Sequence, residues 1–175
     1  FRNAGFDVEM VWHKDSGLPK GVDIVGVPGG FSFGDYLRCG AIAAQSPITK
    51  AVAAHVERGG YAIGICNGFQ VLIKSGFLLP SDEQGLPATL TWNDSGQFID
   101  CWVNLKCDDE KCVFLRDIDH AYLPIAHAEG KFVTRDEKIL SALEQNHQLS
   151  MKYCQPSGGD RESTFNPNGS TADVA

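Results

Sequence analysis

The sequence predicts an α/β protein of three layers, in which a mostly parallel sheet is flanked by helices and followed by an antiparallel strand excursion. Two apolar runs, at 22–27 and 61–65, are typical of buried strands. Between them, residues 48–58 place apolar side chains at helical spacing, and Gly59 and Gly60 end that helix. The order strand, helix, strand indicates parallel strands joined by a right-handed crossover.

Beyond residue 80 the pattern changes to shorter elements. Residues 98–107 alternate apolar and polar side chains, which is typical of antiparallel pairing. The other elements that we expect are an edge strand at 6–12, a strand running into a glycine turn at 122–132, a helix at 136–146 and a strand at 149–154. Segments 81–97 and 155–175 are rich in turn residues, so we expect loops there.

We expect residues 1–175 to form a single domain that is incomplete at both ends. A chain of 175 residues is long enough to bury a core of its own. Residues 1–5 are typical of the last turn of a helix with a glycine stop, and residues 170–175 complete no recognisable element.

Composition excludes several classes of protein. Hydrophobic residues at 43% and charged residues at 21% are ordinary for a globular domain. A net charge of −7 argues against a nucleic-acid partner, and no apolar run approaches the roughly 20 residues of a membrane helix. The six cysteines include no Cys-x-x-Cys pair, which indicates free thiols, no zinc site and a cytoplasmic protein.

The segment Gly64-Ile65-Cys66-Asn67-Gly68 predicts a nucleophile elbow. It follows a buried strand and precedes a short helix expected at 69–76, and it repeats the spacing of Gly-x-Ser-x-Gly with sulfur as the nucleophile. Cys66 would lie at the helix N-terminus, where the helix dipole favours a thiolate. The backbone N–H of Asn67 would face the oxyanion formed by attack on a carbonyl. A buried structural cysteine in a glycine-rich turn is the alternative.

A glycine-rich loop follows the strand at 22–27. Its sequence is Pro-Gly-Gly-Phe-Ser-Phe-Gly-Asp at 28–35. Loops at the carboxyl ends of parallel strands are where α/β proteins bind ligands. Gly29 and Gly30 would let the backbone approach a ligand and expose its N–H groups. A plain flexible loop is the alternative.

These motifs resemble one enzyme family. Residues 64–70 resemble the nucleophile motif of the class I, triad-type glutamine amidotransferases, whose fold is flavodoxin-like. Residues 28–41 are similar to the loop of one branch, the glutaminase components of an ATP-dependent synthetase in purine biosynthesis. Residues 124–130 and 166–170 also resemble that branch, so the resemblance covers most of the chain.

The resemblance implies a specific chemistry. Cys66 attacks the side-chain amide of glutamine and releases ammonia, leaving a γ-glutamyl thioester that water hydrolyses. The backbone N–H groups of Gly30 and Asn67 form the oxyanion hole. The substrate-binding residues that the resemblance implies are Gly29, Phe31, Gln70 and His127.

The resemblance also implies partners. The ammonia goes to a synthetase (large) subunit, which uses ATP and Mg, and a small accessory subunit completes the complex. We therefore expect no metal or cofactor in this chain itself. Residues 36–39 of the glycine loop are expected to face the synthetase.

One departure leaves alternatives open. In the family a histidine and a glutamate of a Pro-His-Pro-Glu motif activate the thiol, and residues 1–175 contain no such motif. We therefore expect these residues alone to have little glutaminase activity, and we expect His55 and His147 to lie on the solvated surface. The alternatives are another cysteine hydrolase on the same scaffold, such as a peptidase or glyoxalase relative, or a non-catalytic docking subunit.

Overall fold

The structure is a computed structural model that describes residues 1–32, 39–108, 110–156 and 165–175. The chain divides into two compact units, Phe1–Pro80 and Ser81–Ala175. Strands and α-helices occur in both units, so the predicted α/β class is confirmed.

The first unit is built on a parallel strand pair. Its elements are β1 (Ile24–Val27), α1 (Cys39–Ala43), α2 (Ile48–Glu57), β2 (Tyr61–Gly64) and α3 (Asn67–Lys74). β1 and β2 pair in parallel, and Val27 lies opposite Gly64 at the end of the ladder. Because α2 crosses over between the strands, the segments that follow Val27 and Gly64 begin at the same edge. The strands predicted at 22–27 and 61–65 and the helices predicted at 48–58 and 69–76 are confirmed.

The edge strand expected at 6–12 is not observed. Residues 2–4 form a short 3₁₀ turn that ends at Gly5 with φ 86°, as the glycine stop predicted. Residues 6–12 then pair with no described strand, and the side chain of Met10 is 81% exposed. Alternation of apolar and polar residues predicts the two faces of a strand, but a ladder also needs a neighbouring strand to pair with.

His55 is buried, so the expectation of a solvated surface position is wrong. Its side chain, on α2, is only 4% exposed. The ring lies over Gly60, where a Cβ would come within 2.6 Å of the imidazole Cδ2. Nε2 makes a hydrogen bond of 3.1 Å with the carbonyl of Tyr61. Because Gly60 has no side chain, the imidazole of His55 can pack directly against the backbone at this position.

The second unit is antiparallel. Its elements are β3 (Ala88–Thr91), β4 (Ile99–Cys107), β5 (His120–His127), β6 (Lys131–Thr134), α4 (Glu137–Gln145) and β7 (Met151–Cys154). The strands form a three-stranded sheet in the order β5-β4-β7 and a separate β3-β6 pair. Among the described residues only β1 and β2 are parallel, so the expectation of a mostly parallel sheet is not met there. Successive strands β4 and β5 are joined without a helical crossover, and such connections reverse the chain direction.

The alternation predicted at 98–107 is confirmed in β4. Val103 and Leu105 are buried with Tyr153 in the core of the second unit, whereas Trp102, which precedes Val103, is 60% exposed. Strand β3 was not predicted, because its four residues lie in a segment dominated by turn residues.

Two further observations concern the chain as described. No helix among the described residues is both long and apolar enough to cross a membrane. Five cysteines are free thiols in the described side chains: Cys66, Cys101, Cys107, Cys112 and Cys154.

Candidate active site

Cys66 lies exposed in the turn between β2 and α3, as the sequence predicted. The N–H of Gly68 donates to the carbonyl of Ile65 at 2.9 Å, and the N–H of Phe69 donates to the carbonyl of Cys66 at 2.9 Å, so the helix begins at once. Cys66 has φ 55° and ψ −116°, a conformation that residues with a side chain rarely adopt. Such strain at a strand-to-helix turn is the mark of a nucleophile elbow.

The flanking glycines explain how this turn fits. A Cβ on Gly64 would lie 2.6 Å from the carbonyl oxygen of Gly68 and 2.7 Å from Cδ1 of Leu72. A Cβ on Gly68 would lie 2.7 Å from the carbonyl carbon of Val27. Any side chain at either position would push α3 away from the strands. The first unit therefore requires glycine on both sides of Cys66.

The glycine loop passes directly beside Cys66. A Cβ on Gly29 would lie 3.2 Å from the Cβ of Cys66 and 3.3 Å from the carbonyl of Ile65. Gly30 adopts φ 141°, which favours glycine, and Phe31 is 82% exposed. The structure thus brings the start of the loop to the elbow, while the oxyanion role of Gly30 and the substrate contact of Phe31 stay predictions. Residues 33–38 lie outside the described residues, as does the side chain of Cys39, so the expected synthetase-facing role of 36–39 also stays a prediction.

A chain of side-chain hydrogen bonds links this loop to α3. The hydroxyl of Ser32 donates to Oδ1 of Asn67, and Nδ2 of Asn67 donates to Oε1 of Gln70 at 2.9 Å. Asn67 is 2% exposed. The sequence had suggested Gln70 and the backbone of Asn67, but neither the side chain of Asn67 nor Ser32. The available signal was a polar amide directly after the nucleophile, three residues before the second amide at Gln70.

His127 belongs to the second unit, where Asn93 fixes its tautomer. Nδ2 of Asn93 donates to the carbonyls of Gln97 and His127, both at 2.9 Å. Oδ1 of Asn93 therefore accepts from Nδ1 of His127 at 3.1 Å, which places the imidazole proton on Nδ1. Burial lowers the pKa of His127, so the ring stays neutral to lower pH than an exposed histidine.

The glycine turn after β5 packs on the same ring. A Cβ on Gly130 would lie 2.6 Å from Cδ2 of His127, and the N–H of Gly130 donates to Oδ1 of Asn93 at 3.4 Å. Asn93 is buried, and nothing in the sequence pattern had singled it out. The substrate-binding role implied for His127 stays a prediction.

The Asn-Pro-Asn-Gly-Ser segment at 166–170 has a structural role. Oδ1 of Asn166 accepts from the N–H groups of Gly169 and Ser170 at 2.9 and 3.2 Å. The hydroxyl of Ser170 accepts from the N–H of Phe132 at 2.9 Å, which ties the segment to β6.

One group among the described residues has side chains suited to a metal ion. The potential ligand atoms of Asp108, Glu110 and His147 lie within 4.8 Å of one another. Nδ1 of His147 lies 2.9 Å from Asp108 and 3.1 Å from Glu110, and the hydrogen bond to His147 lowers the pKa of Asp108. The two carboxylates therefore serve as hydrogen-bonding partners of the imidazole, and these contacts need no metal ion to explain them.

Comparison with known proteins gives concordant matches. The family model described as the CobB/CobQ-like glutamine amidotransferase domain matches residues 1–175. The phosphoribosylformylglycinamidine synthase subunit PurQ of Ruegeria pomeroyi is 49% identical over 178 residues, which cover 100% of this chain and 72% of that protein. The protein of the same name from Aquifex aeolicus is 41% identical, with 97% and 71% covered.

A solved structure is also similar. A chain in the "Structure of PurLQS from Thermotoga maritima" aligns with a TM-score of 0.69 and 33% identity. The alignment covers 92% of this chain and 64% of that chain. The sequence relatives and this structure confirm the resemblance inferred from the motifs.

Proposed function

This chain belongs to the CobB/CobQ-like glutamine amidotransferase family, and we propose that it is the glutaminase component of phosphoribosylformylglycinamidine synthase. Relatives of that name match the chain over its whole length, which supports the assignment. The structural observation that carries the proposal is the strained backbone of Cys66, held between glycines at the turn from β2 to α3.

The proposed reaction proceeds through a thioester. The thiol of Cys66 gives up its proton, and the thiolate adds to the side-chain carbonyl carbon of glutamine. The nitrogen takes up that proton as the C–N bond breaks, so ammonia leaves. Water then hydrolyses the γ-glutamyl thioester, which releases glutamate and restores the thiol. Backbone N–H groups of Gly30 and Asn67 stabilise the oxyanion. The proximity of Gly29 to Cys66 and the place of Asn67 at the helix N-terminus support these roles.

The ammonia serves a partner in this proposal. A synthetase subunit activates the amide of formylglycinamide ribonucleotide with ATP and Mg, and nitrogen replaces its oxygen. This chain then needs no cofactor of its own, and a small accessory subunit completes the complex. The similar chain in a structure titled PurLQS supports an assembly of this kind, and the cysteine usage of the sequence supports a cytoplasmic location.

The experiment uses the full-length protein assembled with its synthetase partners. Cys66→Ser should abolish glutamine-dependent synthesis and leave ammonia-dependent synthesis intact, because only the first needs the thioester. Cys112→Ser, a change at a half-buried thiol in the second unit, is the matched control and should retain both activities. Glutamine hydrolysis by Cys66→Ser at a near wild-type rate would show that the nucleophile is misassigned.

A glutamine-like electrophile gives a second readout on the same protein. Cys66 is exposed, whereas Cys107 is buried and burial raises the pKa of its thiol. Thiolates react and thiols do not, so peptide mapping should find Cys66 alkylated first.

A further inference from the structure

A cavity lies at the edge of the parallel strand pair that is opposite to Cys66. It has a volume of about 290 Å³ and is lined by residues 22–23, 55 and 58–61, where β1 and β2 begin and α2 ends. Cys66 follows the far end of β2, so the length of that strand separates the cavity from the candidate active site. A volume of about 300 Å³ is at the lower limit for typical ligand pockets, so this cavity suits a small ligand.

Two side chains of opposite charge line the cavity. Asp23 precedes β1, and Arg58 directly follows α2. Both residues are exposed, and neither side chain makes a hydrogen bond or an ion pair with any residue that the structure describes. Because the two charges share one cavity without pairing, each is available to a ligand group of the complementary charge.

The other polar groups of the cavity do not favour an anion. The backbone N–H groups of residues 58–61 all donate to carbonyls of the chain. The buried His55 is also committed, because the carbonyl of Tyr61 can only accept and so places the proton of the neutral ring on Nε2. An anion such as phosphate would therefore depend on Arg58, and the carboxylate of Asp23 would repel it.

A simple cation fits no better than an anion. Asp23 and the carbonyl end of α2 both attract positive charge, but the guanidinium of Arg58 repels it. A ligand with one charge of each sign satisfies both side chains. The planar guanidinium matches a carboxylate, and the carboxylate of Asp23 accepts from an ammonium group.

We propose that this cavity binds a free α-amino acid, whose carboxylate pairs with Arg58 and whose ammonium group pairs with Asp23. The site is separate from Cys66, so this inference does not rest on the proposed glutaminase function. Its ligand is a second amino acid, bound at the other end of β1 and β2 from the nucleophile.

The test begins with the full-length protein carrying Cys66→Ser, so that glutamine is not consumed during the measurement. The twenty protein amino acids are the probes, screened one by one by saturation-transfer NMR and then by calorimetric titration. At least one should bind. The amine that lacks its carboxylate and the acid that lacks its ammonium group should each bind about tenfold or more weakly, the effect of one lost charged hydrogen bond.

Two variants of the cavity give a crossed result that a general loss of structure cannot produce. Arg58→Gln should raise the Kd of the amino acid by about tenfold or more and leave the Kd of the amine unchanged. Asp23→Asn should raise the Kd of the amino acid by a similar factor and leave the Kd of the acid unchanged. Arg116→Gln and Asp100→Asn, at exposed positions of the second unit, are the matched controls.

Two results would overturn this site. One is that none of the twenty amino acids binds. The other is that the bound amino acid keeps its Kd in both Arg58→Gln and Asp23→Asn, which would show that it binds elsewhere, for example beside Cys66. Neither result bears on the proposed function, which is decided by glutamine-dependent synthesis in the Cys66→Ser complex.

Discussion

Gly68 lies against the carbonyl group of Val27, so closely that a Cβ on Gly68 would be 2.7 Å from the carbonyl carbon and nearer still to its oxygen. This contact joins the first turn of α3 to the end of β1. Because Cys66 precedes Gly68 by two residues, the contact also fixes where the thiol leaves the turn. Packing of the Gly68 backbone against β1 therefore positions the nucleophile, and no side chain of the turn takes part in this contact.

Replacing Gly68 by alanine should destabilise the first unit. The methyl group cannot fit without moving α3 or β1, and such overpacking typically costs about 1–3 kcal/mol. Urea unfolding of the full-length protein measures the loss. Gly17→Ala is the control, because a Cβ at Gly17 meets nothing within 4 Å. Equal stability of the two variants would mean that α3 is not held by this contact.

Gly29→Ala should impair catalysis more than stability. Its Cβ would lie 3.2 Å from the Cβ of Cys66, a tight but not impossible approach that displaces the thiol by a fraction of an ångström. Small displacements of a reacting group are costly, and we expect kcat/KM for glutamine to fall by about tenfold or more. Steady-state kinetics and thermal unfolding should be measured together. A wild-type kcat/KM for glutamine in Gly29→Ala would contradict this prediction, because it would show that the substrate lies away from Gly29.

Burial of His127 makes stability depend on pH. Its pKa in the folded protein is below the ordinary value of 6.5, because burial disfavours the charged imidazolium. The folded state therefore binds fewer protons than the unfolded state in the interval between the two values. The contribution of His127 is fully present above pH 6.5 and declines as the pH falls through the folded pKa.

Denaturant unfolding at pH 7.5 and at about pH 5 measures this dependence. Replacing His127 by glutamine should reduce the loss of stability between the two pH values, by about 1.4 kcal/mol for each unit of pKa shift. His120→Gln, at an exposed position of the same strand, is the matched control. An identical pH dependence in wild type and His127→Gln would contradict the assignment.

The sequence by itself determined the local features of the site. The strands ending at Val27 and Gly64, the helix between them and the elbow at Cys66 depend on side-chain periodicity and on glycines that lie within a few residues of one another. The exposed and buried faces of β4 follow from alternation in the same way. Such features need only short-range sterics and the burial of one face.

Only the tertiary structure decided which distant residues meet. Ser32 and Asn67 are 35 residues apart, and Asn93 and His127 are 34 apart, yet each pair shares a hydrogen bond. The partner of each strand in the second unit was likewise decided by the tertiary structure, which places β7 beside β4 and β6 beside β3. A hydrogen bond between two remote amide or hydroxyl groups leaves no periodic trace in the chain, because its geometry exists only after the backbone has brought the two segments together.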